Sequence, residues 1–278
     1  MDNKKPKIIR GICEYCGIPA YKCAHYIGLV DASGIPLPGV DLNAKQKEEE
    51  QKNEIKISAT EQRQGNPLKQ KVADVVIAHW DRRDMLYQTL GSIPLTGINV
   101  IIIRGNTYSV SNNIGAKAAV TDNIIFCNDD MVVPKQTLLE MINSDADFAM
   151  ARQFYPDGSP QHCGLKWVDQ DFVVVTDPVE AQVPTAACFR VKREVFEKLG
   201  GFDEAFINGG EDHDLFFKAL EAGHNFEFVD TPVIHYSSSS SGRFDFEADN
   251  LKLLKEKWPN DRLNKLFYEI EKQKKEGA

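Results

Sequence analysis

Val72-Ala-Asp-Val-Val-Ile-Ala78, Ile98-Asn-Val-Ile-Ile-Ile103 and Asn123-Ile-Ile-Phe-Cys127 are three short runs rich in β-branched residues, spaced so that a helix fits in each gap. Runs of this kind suit strands buried on both faces. Asp81 stands where an N-cap would start a helix over residues 82–90. A loop over 104–112 and a helix through 116–120 fill the second gap. Strands alternating with helices in this way predict a parallel α/β sheet with right-handed crossovers, whose ligand crevice lies at the C-terminal ends of the strands. The polar residues that close these strands therefore point toward one shared site.

Downstream, a helix is expected over 135–143, strand-like segments near 148–152, 172–175 and 186–191, and helical periods at 194–199 and 212–222. Two late strands follow, at 226–229 and 233–235. The tail carries Leu251, Leu254, Trp258, Leu263, Leu266, Phe267 and Ile270 at helical spacing, which predicts amphipathic helices broken at Pro259. The serine run 237–241 cannot pack a core and reads as a mobile loop.

Upstream, Cys13-Glu-Tyr-Cys-Gly-Ile-Pro-Ala-Tyr-Lys-Cys-Ala-His25 offers three thiolates and an imidazole. The set Cys13, Cys16, Cys23 and His25 suits a closed tetrahedral site for structural Zn²⁺ and resembles a zinc knuckle. Incidental cysteines are the plain alternative; a redox pair fits less well, because no βαβ pattern surrounds it. A charged segment with almost no apolar residue until Ile55 comes next. The expected organisation is a zinc module over 1–43, a linker or surface helix over 44–70, and an α/β domain over 71–278.

Charge narrows the partners. The chain has 33 Lys+Arg against 41 Asp+Glu, a net of −8, which argues against broad adhesion to nucleic acid or anionic lipid. The first 71 residues hold 12 basic and 9 acidic side chains, so the acidic excess lies entirely in the body, and local nucleic-acid contact by the front stays open. No apolar run reaches the roughly 20 residues of a bilayer span, and residues 1–10 lack the apolar stretch of a signal peptide. Cys127, Cys163 and Cys188 show no disulfide-like spacing. The expectation is a cytoplasmic protein without a membrane span.

The third strand ends in Asn128-Asp129-Asp130, at the mouth of the predicted crevice. Hard carboxylates there suit Mg²⁺ or Mn²⁺ completed by substrate phosphates, although a turn or helix cap explains such a pair equally well. The second element is Gly200-Gly-Phe-Asp-Glu-Ala-Phe-Ile-Asn-Gly-Gly-Glu-Asp-His-Asp-Leu215, closed by Ala222-Gly223. Its glycines deliver the chain to a helix that begins at Glu211-Asp212. Together with Asn113-Ile-Gly115, Tyr155-Pro-Asp-Gly-Ser-Pro-Gln-His-Cys-Gly164 and Pro232-Val-Ile-His235, this segment resembles family-2 glycosyltransferases of the GT-A fold, over roughly residues 72–243.

The resemblance implies a Rossmann-like, mostly parallel mixed sheet flanked by helices. It also implies a metal-dependent, inverting transfer of sugar from a nucleoside-diphosphate sugar to an acceptor hydroxyl. By position, Asp130 and His235 match the metal ligands, Asp212 the catalytic base, and Glu211 an acceptor-side contact. Asp129 supports the metal or touches the ribose; Ala78, His79 and Trp80 fall where the nucleotide base is held, and Asn106 and Asn113 on the donor side. Arg243 could assist the leaving diphosphate when the serine loop closes. Two departures from the family pattern are Asn128 at the first position of the aspartate motif and Arg104-Gly105-Asn106 where an acidic residue is common. The acceptor is not identified, and the attached zinc module suggests a macromolecule: a protein, a glycan or a modified nucleic-acid base. Two rivals remain: a two-metal phosphoesterase or nucleotidyltransferase built on Asp129, Asp130, Asp212 and Asp214, and a non-catalytic protein that binds through its zinc module.

Overall fold

The computed structural model describes residues 8–9, 12–13, 73–94, 97–237 and 245–276. The chain divides into two units, Met1–Gln70 with Pro156–Gly158, and Lys71–Tyr155 with Ser159–Ala278. In the first, β1 (Ile8–Ile9) pairs antiparallel with β2 (Ile12–Cys13). Of the expected zinc ligands only the backbone of Cys13 is described; Cys16, Cys23 and His25 lie outside the described residues, as do the charged segment 44–70 and Arg243.

The second unit begins with β3 (Ala73–His79), α1 (Arg83–Ser92), β4 (Ile98–Arg104), α2 (Tyr108–Ala118), β5 (Asn123–Asn128) and β6 (Met131–Val132). It continues with α3 (Lys135–Asn143), β7 (Phe148–Phe154), β8 (Gly164–Val168), β9 (Asp171–Val175), β10 (Val183–Pro184) and β11 (Cys188–Lys192). The remainder is α4 (Arg193–Lys198), α5 (Glu211–Glu221), β12 (Phe226–His235), α6 (Glu247–Lys257) and α7 (Asn260–Glu276). Seven strands form one sheet in the order β4-β3-β5-β11-β7-β12-β6, and β10-β8-β9 form a small antiparallel sheet.

Strands β4, β3 and β5 are parallel, as their spacing predicts. The sheet is mixed, as the resemblance implies: β11 runs antiparallel to both β5 and β7. The small sheet intervenes between β7 and β11 in the chain, which re-enters the large sheet at the end where β7 left it and so runs back in the opposite direction. Strand β12 is parallel to β7, and β6 pairs antiparallel with the end of β12. The two late strands expected from the sequence are one strand, whose register against β7 shifts between Val229 and Val233, around Pro232.

Burial on both faces explains the β-branched runs. Val76, Ile124 and Phe126 enter a core with Phe148, Phe189, Phe202, Phe216 and Phe217, whereas Val75, Ile77, Ile125 and Cys127 enter a second core with Leu138, Met141 and Ile142. Helix α2 lies against β3 so closely that a Cβ on Gly115 would fall 2.2 Å from Val76 Cγ1. This helix starts earlier than expected, within the segment read as a loop, because Thr107 caps it by accepting from Val110 N. Helix α1 begins at Arg83 with Arg82 as its N-cap and no side-chain cap bond, so Asp81 does not cap it.

Two buried polar residues fasten connections to the sheet. Arg190 is fully buried and donates to the carbonyls of Met141, Ser144 and Ala146, closing the C-terminal end of α3. Asp74 accepts from Val120 N, from Thr121 N and Oγ1, and from Asn99 Nδ2, and so ties the turn before β5 to the start of β3. Burial alone would raise the Asp74 carboxyl, but the bonds from Thr121, Asn99 and Val120 outweigh it and hold the group below the ordinary 3.8.

A depressed folded-state value means that this carboxylate stabilises the fold fully above 3.8 and loses that contribution as pH falls through the lower, folded-state value. Asp74→Ala should cost about 1.5–3 kcal/mol at neutral pH by urea denaturation, since it removes hydrogen bonds to a charged acceptor. The gap to the wild type should narrow as the pH is lowered below about 4. A gap that does not change with pH would contradict the charged-acceptor role.

Candidate active site

Four segments build the site from backbone bonds outward. Strand β3 delivers His79 and β5 delivers Asn128, and the turn Asp129-Asp130 leads into β6, where Met131 is the register partner of His235. Tyr236 N donates to the Asp130 carbonyl at 3.0 Å. From α1, the Thr89 hydroxyl donates to Asp129 O at 2.8 Å and accepts from Met131 N at 3.0 Å. The turn is thus gripped from two sides, which fixes where both aspartates point.

Their side chains meet two histidines. His79 Nδ1 lies 2.6 Å from Asp129 Oδ2. Burial pushes the Asp129 carboxyl above its ordinary range; the His79 bond opposes this and the Asp130 charge adds to it. His235 Nε2 lies 3.2 Å from Asp130 Oδ1, and Asn128 Nδ2 is 3.5 Å from the same ring nitrogen. Asp130 Oδ1 is buried and makes no hydrogen bond. On the other edge of the ring, His235 Nδ1 faces Gln161 Oε1 at 2.9 Å and Gln153 Oε1 at 3.1 Å.

The acidic helix start is organised separately. Gly210 takes φ = 88° as the N-cap of α5, a conformation that suits glycine, and Glu211, Asp212 and Asp214 occupy the first turn, where the helix dipole favours negative charge. Glu211 Oε2 accepts from Gly209 N at 2.6 Å, and Asp212 Oδ1 accepts from His213 N at 2.9 Å. Asn208 Oδ1 accepts from Tyr108 N, and the Tyr108 hydroxyl donates to Ala186 O. Burial pushes the Tyr108 phenol well up, with the charges of Glu211 and Asp212 and the thiols of Cys127 and Cys188 adding to the effect.

Asp214 faces the other way. It is fully buried, with Oδ1 2.7 Å from Lys257 Nζ and 2.9 Å from Trp258 Nε1, and Oδ2 3.2 Å from Lys218 Nζ. These partners tie it to the C-terminal helices, so the four-carboxylate arrangement of a two-metal centre does not form here.

This architecture is the fold of the GT-A glycosyltransferases. A crystal structure of GalNAc-T7 with UDP, GalNAc and Mn²⁺ shares it with a TM-score of 0.53 at 16 % identity, over 67 % of this chain and 48 % of that one. Residues 172–239 match the family described as the N-terminal domain of galactosyltransferase. The O-antigen biosynthesis protein RfbC of Myxococcus xanthus is 29 % identical over 156 residues, which are 48 % of this chain and 12 % of that protein. The uncharacterized protein y4gI of Sinorhizobium fredii is 29 % identical over 163 residues, 50 % of this chain and 18 % of that protein. The matched stretch thus spans less than a fifth of either relative.

The structure brings Asp129, Asp130, His79 and His235 together at adjoining strand ends. Ala78 is the register partner of Asn128, Trp80 is 52 % exposed immediately after β3, and Asn106 is exposed after β4. Asn113 is committed elsewhere: its amide donates to Phe202 O and Glu204 Oε1 and accepts from Phe202 N, stapling the glycine-rich loop to α2. Among the described residues no group of three or more His, Cys, Asp and Glu side chains is placed to hold an ion. Sequence reasoning missed Thr89, Tyr108, Gln153 and Asn250. Gln161, inside the motif Tyr155–Gly164, was given no role; Gln153 is a polar residue in a buried strand, Tyr108 opens a helix within the segment read as a loop, and Thr89 and Asn250 sit on helices with no motif of their own.

Asn250, on α6, accepts from Ile207 N at 3.0 Å and donates to Ile207 O at 2.8 Å, fixing the loop that leads to Glu211 and Asp212. Asn250→Ala strands a main-chain donor and acceptor together and should cost about 2 kcal/mol. Chemical denaturation checks this; an unchanged midpoint would remove the buttress role.

Proposed function

We propose that the chain is a metal-dependent, inverting glycosyltransferase that moves a sugar from a nucleoside-diphosphate sugar to an acceptor hydroxyl. The carrying observation is the buried Asp130 oxygen without a hydrogen bond, opposed by His235 Nε2 at the strand ends of a GT-A fold. A carboxylate oxygen and an imidazole nitrogen facing each other make a donor pair suited to Mn²⁺, and Mg²⁺ is the second candidate. Asp130 and His235 would hold the ion, with Asn128 and Asp129 beside them. When bound, the ion supplies neutralisation of the charge that collects on the leaving diphosphate.

The remaining work falls to the chain's own groups. Asp212, at the start of α5, takes the acceptor proton, and Glu211, locked onto Gly209 N, shapes the acceptor side. Ala78, His79, Trp80 and Asn106 border the nucleotide; Asp129, kept in place by His79, turns toward the ribose or the metal shell. Arg243 would approach the diphosphate from the segment after β12. The name of the Myxococcus relative supports a glycan acceptor. The two-metal reading is disfavoured by the ion pairs that hold Asp214. For Cys13, Cys16, Cys23 and His25 we propose a structural Zn²⁺ site.

Incubation of the full chain with a panel of nucleotide-sugars and Mn²⁺ should release free nucleoside diphosphate, and product NMR should show inverted anomeric configuration. Asp212→Asn should lower kcat by roughly 10²–10⁴-fold with donor KM little changed. Asp130→Asn should raise the Mn²⁺ concentration needed for half-maximal rate. No release from any donor under these conditions would refute the assignment. For the first unit, elemental analysis should find about one zinc per chain; retention of that zinc after Cys13→Ser with Cys16→Ser would rule out the site.

A further inference from the structure

We infer that Gln153 and Gln161 are positioning residues that lock His235 in one tautomer, with the proton on Nδ1 and the lone pair of Nε2 directed at Asp130. The inference rests on the transferase reading only for the identity of the ion that uses this nitrogen.

The argument is one of donors and acceptors. His235 is 5 % exposed, and the two groups that face its Nδ1 are both amide oxygens, which only accept. A ring nitrogen opposite two acceptors must carry the hydrogen, so in the neutral ring Nε2 is left as the acceptor. Opposite Nε2 stands another acceptor, Asp130 Oδ1, buried and without a hydrogen bond. Two lone pairs facing each other at 3.2 Å are unfavourable unless something positive comes between them; the Asn128 amide reaches Nε2 only at 3.5 Å, so the glutamines leave an electron-rich gap toward Asp130.

The glutamines are themselves held. Gln161 N donates to Gln153 O at 2.9 Å, which ties the approach to β8 onto β7. The Gln153 amide nitrogen bonds to Thr185 Oγ1, which turns its oxygen toward the ring. Gln161 is buried and its amide nitrogen has no partner among the described residues. A buried amide left half-satisfied costs stability, and the single side-chain bond it makes is to His235. Hydrogen-bond partners on the far nitrogen of a metal-binding histidine fix its tautomer and orientation, and their loss typically weakens ion binding 10–100-fold.

The test uses the full chain. Long-range ¹H–¹⁵N NMR of histidine-labelled, metal-free protein, at a pH where the ring is neutral, should show His235 protonated at Nδ1. Gln153→Leu and Gln161→Leu should each shift the ring toward the other tautomer and raise the Kd for Mn²⁺, read from free-ion EPR with UDP present, by about 10–100-fold. Gln161→Glu, which keeps an acceptor at the same place, should retain both the tautomer and near-native affinity. A wild-type ring protonated at Nε2 would overturn the inference, as would leucine variants with native tautomer and Kd. If a leucine variant does not fold, the wild-type spectrum and Gln161→Glu still decide. A glutamine-dependent Nδ1–H tautomer in a wild type that binds no Mn²⁺ supports the lock and sinks the transferase reading instead.

Discussion

The join between β6 and β12 is the constraint on which the site depends. Strand β6 is only two residues long, yet its pairing with the end of β12 sets Met131 opposite His235, and the next bond, from Tyr236 N to Asp130 O, pins the turn. A histidine late in the chain therefore lands beside an aspartate from its first half, through main-chain bonds that do not depend on either side chain. Thr89 completes the grip from α1. The backbone thus fixes neighbouring aspartates whose carboxylates turn to different histidines, Asp129 to His79 and Asp130 to His235.

The acidic start of α5 is held by different means. Its loop has no long strand pairing, so side chains of distant residues do the fastening: Asn113 on the Phe202 main chain, Asn250 on Ile207, and Asn208 on Tyr108. Asparagine suits this work because one planar amide donates and accepts at once. Asp214, one turn into the helix, anchors α5 to the C-terminal helices through Lys257 and Trp258. Of the first-turn carboxylates, Asp214 anchors the helix, Glu211 is buried on the Gly209 main chain, and Asp212 is half-buried.

Much of the fold was legible because its strands announce themselves. Val75–Ile77 and Ile124–Cys127 are buried on both faces, and only β-branched or apolar side chains fit there. Helix α3 and the break at Pro259 followed from periodicity and proline chemistry. Helix α2 was obscured because its first two turns, Tyr-Ser-Val-Ser-Asn-Asn, are poor helix formers that tertiary burial of Ser109, Ser111 and Asn112 overrides. The direction of β11 leaves no trace in side-chain alternation, which reads the same either way along a strand. In the site, Asp129, Asp130 and His235 were marked by motif, whereas Gln153 was not: the sequence reveals that a buried strand contains a glutamine, not what that glutamine faces.

The register of β12 against β7 carries a further consequence. Val229 pairs with Ala151 and Val233 with Gln153, so four steps along one strand match two along the other. The surplus is even, and an even surplus preserves the parity with which side chains alternate between the two faces of a sheet. A change in length of the segment around Pro232 therefore keeps that parity only in steps of two residues. A single insertion or deletion there would turn the imidazole at the end of the strand to the opposite side of the sheet, leaving the composition of the site intact and its chemistry gone.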